Sequence, residues 1–145
     1  MPRFEKPEHI KKEKEAIEKY IKYHQSYDFK YFKLGDWDID FALTKGNDIV
    51  AYVEVKGRNK NIADAFPLPV ALRKVSKLQE RNETSIIIWN CFDGIIFGLV
   101  KQIQGNLRWG GRDPRYQSIN DEEMMIYYDD QENLTKINNE QNRTP

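Results

Sequence analysis

DWDIDFALTKGNDIVAYVEVKGR, residues 36–58, is the stretch of sequence that decides the fold. In its first half apolar residues alternate with aspartates, the period of two typical of a strand with one buried face. Lys45-Gly46-Asn47-Asp48 predicts a turn, because glycine and asparagine tolerate positive φ at little cost. Ile49 to Lys56 predicts a second strand. The stretch therefore predicts a β-hairpin, whose first arm buries these residues on one face: Trp37, Ile39, Phe41 and Leu43.

Three charged residues share one face of this hairpin, Asp40, Glu54 and Lys56. If the turn centres near Asn47, Asp40 lies opposite Glu54 on the neighbouring strand. Two carboxylates and the peptide carbonyl of Val55 are oxygen ligands of the kind that Mg²⁺ prefers. A bound divalent cation lowers the pKa of a water and offsets charge on a phosphodiester, and a nearby lysine can hold that water. The pattern is suited to phosphodiester hydrolysis.

Two alternatives for this trio stay open from the residues alone. The charged face can be a solvated surface with a cross-strand ion pair. Asp38 shares the face of Asp40 and can serve as the ligand in its place. We favour Asp40, because it lies closer to Glu54 across the hairpin.

A helix is expected before the hairpin, over His9 to His24, with Pro7 in or near its first turn. Glu13 falls on the inward stripe of this helix rather than on its lysine-rich outer side. A solvated position at the edge of the stripe and a position next to the metal are equally compatible with this spacing.

The segments after the hairpin predict a mixed α/β fold with helices on the faces of a sheet. A second helix is expected from about Pro69, and the apolar run from Thr84 to Asn90 predicts a strand buried on both faces. Ile95 to Val100 and Met124 to Tyr128 predict two more strands, the latter at an edge. We expect a single domain over residues 1–132 and a polar, flexible tail over residues 133–145.

The hairpin resembles the active-site motif of the PD-(D/E)XK nuclease superfamily. The resemblance is carried by Asp40, thirteen intervening residues, and then Glu54-Val55-Lys56, and it extends more loosely over residues 9–100. It is similar to the core of Holliday-junction resolvases, which act in DNA recombination, and of phage nucleases. The sequence departs from the motif at its proline, where Ile39 stands.

That resemblance implies a restriction-endonuclease-like αβββαβ core and an Mg²⁺ cofactor, for which Mn²⁺ can substitute. It implies that Asp40 and Glu54 are metal ligands, that Lys56 acts on the water, and that Glu13 is the helical glutamate near the metal. A lysine on the helix after the hairpin, Lys74 or Lys77, matches a further position of some relatives.

Composition limits the partners that the chain can have. The net charge is zero, yet residues 54–120 carry 11 Lys and Arg against 6 Asp and Glu. A basic middle favours DNA as the partner. The residues that charge and position suggest as phosphate contacts are Arg58, Lys60, Lys74, Lys77 and Arg112; Trp109 is the aromatic candidate for base stacking.

No run of about 18 apolar residues is present, so no membrane partner is expected, and we expect a cytoplasmic location, in the host if the chain is phage-encoded. The lone Cys91 excludes an internal disulfide.

The function that these observations favour is a magnesium-dependent endodeoxyribonuclease of phage or prokaryotic type, with a homodimer as its expected assembly. Two other classes are compatible with the sequence: a catalytically inactive nucleic-acid-binding or assembly protein on the same fold, and a structural protein whose basic middle and acidic end contact partners.

Overall fold

Two helices and nine strands form the structure, a computed structural model that describes residues 7–34, 39–110 and 123–140. The helices are α1 (Pro7–Tyr23) and α2 (Leu72–Gln79). The strands are β1 (Lys30–Lys33), β2 (Phe41–Lys45), β3 (Asp48–Gly57), β4 (Leu68–Ala71), β5 (Thr84–Cys91), β6 (Gly94–Leu99), β7 (Gly105–Gly110), β8 (Glu123–Tyr128) and β9 (Thr135–Asn138). Neither helix of the described segments combines the length and the apolar character that a membrane crossing requires.

The strands form two sheets. The larger sheet has six strands in the order β1-β2-β3-β5-β6-β9, in which only the β3–β5 pair is parallel. The smaller sheet is antiparallel, in the order β4-β8-β7. The predicted mixed α/β class is confirmed.

The larger sheet separates two apolar cores. Ile86 and Ile88 of β5 pack in the core under α1, which we call the α1-side core. Ile87 and Trp89 pack in the core that contains α2, which we call the α2-side core. Successive strand residues point to opposite faces, so a strand between two cores must be apolar along its whole length. The prediction that this strand is buried on both faces is confirmed.

The predicted hairpin is present as β2 and β3, whose last pair before the turn is Lys45 and Asp48. Its first arm is shorter than predicted, because β2 begins at Phe41. Phe41 packs in the α1-side core, but Ile39 packs in the α2-side core. Ile39 precedes the strand, so the strand alternation does not reach it, and the prediction that it shares a face with Phe41 is wrong. Trp37 and Asp38 lie outside the described residues.

The second half of the chain corrects two predictions. Residues 68–71 are strand β4, so the helix predicted from Pro69 begins at Leu72. Strand β8 was predicted at a sheet edge, but it lies between β4 and β7. Neither of its neighbours was predicted, because β4 is short and contains Pro69, and β7 is almost fully exposed and lacks an apolar pattern.

The polar tail predicted from residue 133 also needs correction. Residues 135–138 form β9, which pairs with β6 at the edge of the larger sheet. Leu134 and Ile137 are buried in the two cores. Two apolar side chains within a polar segment are enough to dock it, a signal that average composition hides. Residues 141–145 lie outside the described residues.

Candidate active site

Glu54 is a charged residue at a core position. It lies between Val53 and Val55 on β3, and strand alternation turns those two toward the α1-side core and Glu54 toward α2. Only 6% of Glu54 is exposed. The Lys74 Nζ atom on α2 lies 3.7 Å from Glu54 Oε2. Glu54 Oε1 is buried and has no hydrogen-bond partner among the described residues.

The surroundings of Glu54 favour its protonated form. Burial, and next the negative charge of Asp40, raise the pKa of Glu54 from 4.5 to about 8. Lys74 and Lys56 oppose that rise, while Glu13 adds to it. A cation at Glu54 Oε1 would favour the charged form of Glu54, because it would supply the positive charge that this environment lacks.

Asp40 is held beside β3 by the main chain. Asp40 immediately precedes β2, whose first residue, Phe41, pairs with Val53, the residue before Glu54. Asp40 is buried, and its Oδ2 atom accepts a hydrogen bond of 2.8 Å from the Val55 amide. The Asp40 carbonyl accepts a hydrogen bond of 3.0 Å from the Leu34 amide. These bonds fix the Asp40 carboxylate next to Glu54.

Glu13 lies at the inner edge of α1, partly buried, with 18% of its side chain exposed. Its Oε1 atom accepts a hydrogen bond of 3.1 Å from Lys33 Nζ, and the same Nζ lies 3.5 Å from Asp40 Oδ1. The inward placement predicted for Glu13 agrees with these contacts. Lys33 is therefore a member of the cluster.

Lys56 follows Glu54 by two residues on β3 and so extends from the same face of the strand. It is exposed, and its charge lowers the pKa of Glu54. The structure thus brings together the four residues predicted to be catalytic, Glu13, Asp40, Glu54 and Lys56.

The residues suggested as phosphate contacts lie in different settings. Arg58 is half-buried, and it donates hydrogen bonds to the carbonyl oxygens of Ala65, at 2.9 Å, and Pro67, at 3.4 Å. These bonds hold the loop between β3 and β4. Lys60 and Lys77 are exposed, and Arg112 lies outside the described residues.

Lys33 and Lys74 are the site residues whose position sequence reasoning missed or left undecided. Lys33 carried no signal, because β1 is short and its burial pattern is visible only once β2 is paired with it. Lys74 was predicted as a phosphate contact or as a helix lysine of the motif, and its contact with Glu54 agrees with the second of these.

The oxygen ligands of the cluster suit a hard divalent cation such as Mg²⁺. Asp40 and Glu54 supply carboxylates, and Glu54 Oε1 is the buried oxygen that a cation would satisfy. Within residues 7–34, 39–110 and 123–140, no set of three or more His, Cys, Asp and Glu side chains converges as a ready-made metal cage. The centre thus offers two carboxylates, and Mg²⁺ commonly completes its octahedron with waters and substrate oxygens.

Comparison with known proteins places the chain in a family. A family model described as "Phage putative PDDEXK endonuclease" matches residues 1–136. No curated protein and no solved structure matches the chain. Since the match covers nearly all of the 145 residues, the chain belongs to the phage PDDEXK family that this model describes.

Proposed function

We propose that the protein is a metal-dependent endonuclease that hydrolyses phosphodiester bonds of DNA. The observation that carries the proposal is the buried Glu54, whose Oε1 atom lacks a hydrogen-bond partner among the described residues, beside Asp40 on the hairpin. Burying a carboxylate without a full set of partners is costly. This cost favours a functional role for Glu54 over a purely structural one.

Asp40 and Glu54 would hold Mg²⁺ or Mn²⁺, with the carbonyl of Val55 as a third ligand. When bound, the metal would lower the pKa of the attacking water and stabilise charge on the phosphate. Lys56 would hold that water and compensate its developing negative charge, because its ammonium extends from the same strand face as Glu54. Glu13 would assist from α1, and Lys74 would orient Glu54 through their 3.7 Å contact.

The finer fold assignment is part of this proposal. Setting aside β4, the order of elements from α1 to β5 is helix, three strands, helix, strand. That order supports a restriction-endonuclease-like αβββαβ core, in which β2 and β3 carry the catalytic groups.

We propose that DNA approaches along the first turn of α2 and the β7–β8 strand pair. Arg73, next to Lys74, forms an ion pair of 3.0 Å with Glu123, which pairs with Gly110 of β7. Trp109 adjoins Gly110 and is 69% exposed, so its ring is accessible to an unpaired base. Lys60 and Lys77 are the exposed lysines that we assign to phosphate contacts.

The test uses a supercoiled plasmid, incubated with the protein in Mg²⁺, in Mn²⁺ and in EDTA, with branched and single-stranded DNA as further substrates. The expected result is metal-dependent nicking that Glu54→Gln and Lys56→Met each reduce by at least about 100-fold, since each removes a group acting on the reacting water or metal. Glu80→Gln and Lys101→Met, at exposed positions, are the matched controls. Cleavage that survives both site substitutions would refute this assignment of the site.

A second candidate, a DNA-binding or assembly protein that does not cut, is favoured by one observation. Lys33 contacts Glu13 and Asp40, and Lys74 contacts Glu54, so ammonium groups partner the carboxyl groups of the cluster without a metal. DNA binding with no cleavage in either metal would support it. The expected homodimer stays a prediction, which light scattering after size-exclusion chromatography will check.

A further inference from the structure

Lys33 occupies the space between two of the three carboxylates of the site. Its Nζ atom lies 3.1 Å from Glu13 Oε1 and 3.5 Å from Asp40 Oδ1. The other oxygen of Asp40, Oδ2, already accepts the Val55 amide at 2.8 Å. One oxygen of Asp40 therefore contacts a main-chain amide, and the other contacts the Lys33 ammonium group.

The sheet register fixes the position of Lys33. Lys33 ends β1 and pairs with Phe41, the first residue of β2, so the sheet register places it beside Asp40. Its ammonium also lies 5.1 Å from the centre of the Phe41 ring, and only 29% of its side chain is exposed. Partial burial on an aromatic ring strengthens the attraction to both carboxylates, since screening by water is reduced.

The cluster combines three carboxyl groups with three lysine side chains. Three carboxylates, Glu13, Asp40 and Glu54, lie among the ammonium groups of Lys33, Lys56 and Lys74. A cation shared by Asp40 and Glu54 can use the buried Glu54 Oε1 atom, which has no hydrogen-bond partner among the described residues. A second cation bridging Glu13 and Asp40 would need the place that the Lys33 ammonium occupies.

We propose that Lys33 is a built-in substitute for a second metal ion, so that the site holds one divalent cation, at Asp40 and Glu54. This inference rests on the proposed function for the metal site, and it adds the stoichiometry and a role for Lys33. Lys33 is a positioning residue: it joins α1 to the hairpin through Glu13 and Asp40, and it excludes a divalent ion from the space between them.

The test counts Mn²⁺ ions per chain, by electron paramagnetic resonance of free Mn²⁺ and by calorimetry, at matched ionic strength. The wild type is expected to bind one Mn²⁺, and Glu54→Gln to lose it. Lys33→Met removes the ammonium but keeps an unbranched apolar side chain, and it is expected to bind two. Glu13→Gln combined with Lys33→Met removes a ligand of the created site and is expected to return to one.

Lys30→Met, at an exposed position of the same strand, is the matched control and is expected to bind one Mn²⁺. Circular dichroism establishes that each variant is folded, and if Lys33→Met does not fold, Lys33→Gln, which also removes the ammonium, replaces it and is expected to bind two. Two ions in the wild type, or one ion in a folded Lys33→Met, would overturn the inference.

Failure of this inference can be distinguished from failure of the proposed function. If the wild type nicks plasmid with Mg²⁺ and binds two Mn²⁺ ions, the function stands and the role of Lys33 is wrong. If the wild type neither nicks plasmid nor binds Mn²⁺, the metal-site proposal fails and the inference about Lys33 fails with it.

Discussion

Glu54 is a residue whose position is unfavourable for folding but suited to chemistry. Glu54 takes a core position on a central strand, where an apolar side chain would stabilise the fold. The period of two in the sequence correctly predicted that Glu54 lies on the opposite strand face from Val53 and Val55. It could not predict that the face of Glu54 is also buried, because the core on that side is completed by β4 and β8, whose pairing comes from distant segments.

At the residue scale, Glu54→Gln is expected to remove a pH dependence of stability in metal-free protein. Burial raises the pKa of Glu54 from 4.5 to about 8. Between these two values the unfolded chain has released its proton while the folded chain retains it, so this group lowers stability as pH rises. Glutamine does not titrate, so the gain from the substitution should be small near pH 4.5 and largest above pH 8.

Thermal unfolding in EDTA between pH 5 and 8.5 measures this effect. We expect Glu54→Gln to exceed the wild type by at least about 1 kcal/mol at pH 8.5, which is a rise in Tm of about 2–4 °C for a chain of this size. Glu80→Gln at an exposed position is the control and should parallel the wild type. If Glu54→Gln also parallels the wild type at every pH, Glu54 is not a buried acid with a raised pKa.

At the scale of elements, prediction from the sequence succeeded where periodicity was strong and local. The hairpin, α1 and β5 follow from apolar spacing within each segment. It failed for β4, β7 and β9, which are short or polar and become strands only through partners far away in the chain. Their pairing energy is tertiary, and no local pattern encodes it.

Strand β9 should contribute substantially to stability despite its polar sequence. Ile137 is 3% exposed and packs in the α1-side core, so Ile137→Ala should cost about 2–5 kcal/mol in the free energy of unfolding. Glu132→Ala, at an exposed position shortly before the strand, should change it by less than about 0.5 kcal/mol. Urea unfolding measures both. Equal, negligible effects would mean that residues 135–138 do not form a strand in solution.

The two sheets are connected by a buried tryptophan. Trp89 of β5 is fully buried and donates its indole N–H to the Pro69 carbonyl of β4 at 2.9 Å. Trp89→Phe leaves that carbonyl without this donor and opens a cavity, so we expect a loss of about 2–4 kcal/mol. Trp109→Phe, at a position 69% exposed, is the matched control and should be nearly neutral in urea unfolding. Similar losses for both would refute this role of Trp89.

At the scale of the whole molecule, the site lies where α1, the hairpin and α2 meet. Glu13 comes from α1, Asp40 and Glu54 from the hairpin, and Lys74 from α2. A cation bound there would contact groups that are close together only in the folded chain, so metal binding and folding should be thermodynamically linked. Stability in Mg²⁺ is therefore a property of the whole chain.

Mg²⁺ should raise the Tm of the wild type, and more so at pH 8 than at pH 6. At lower pH the cation must displace the proton from Glu54, whose pKa without metal is about 8, and this competition weakens binding. At 100 times the dissociation constant a ligand specific to the folded state adds about 2.7 kcal/mol, or roughly 5–10 °C in Tm at this chain length. Thermal unfolding in MgCl₂, against NaCl of equal ionic strength, is the measurement.

Glu54→Gln should lose the Mg²⁺ response at both pH values, whereas Glu80→Gln, as a matched control, should retain it. The same substitution therefore raises Tm in EDTA at pH 8 and removes the further rise that Mg²⁺ gives the wild type. A change in packing alone would shift Tm in the same direction in EDTA and in Mg²⁺. A Glu54→Gln variant that still gains stability from Mg²⁺ would place the metal elsewhere, and the carboxylate would then have only a structural role.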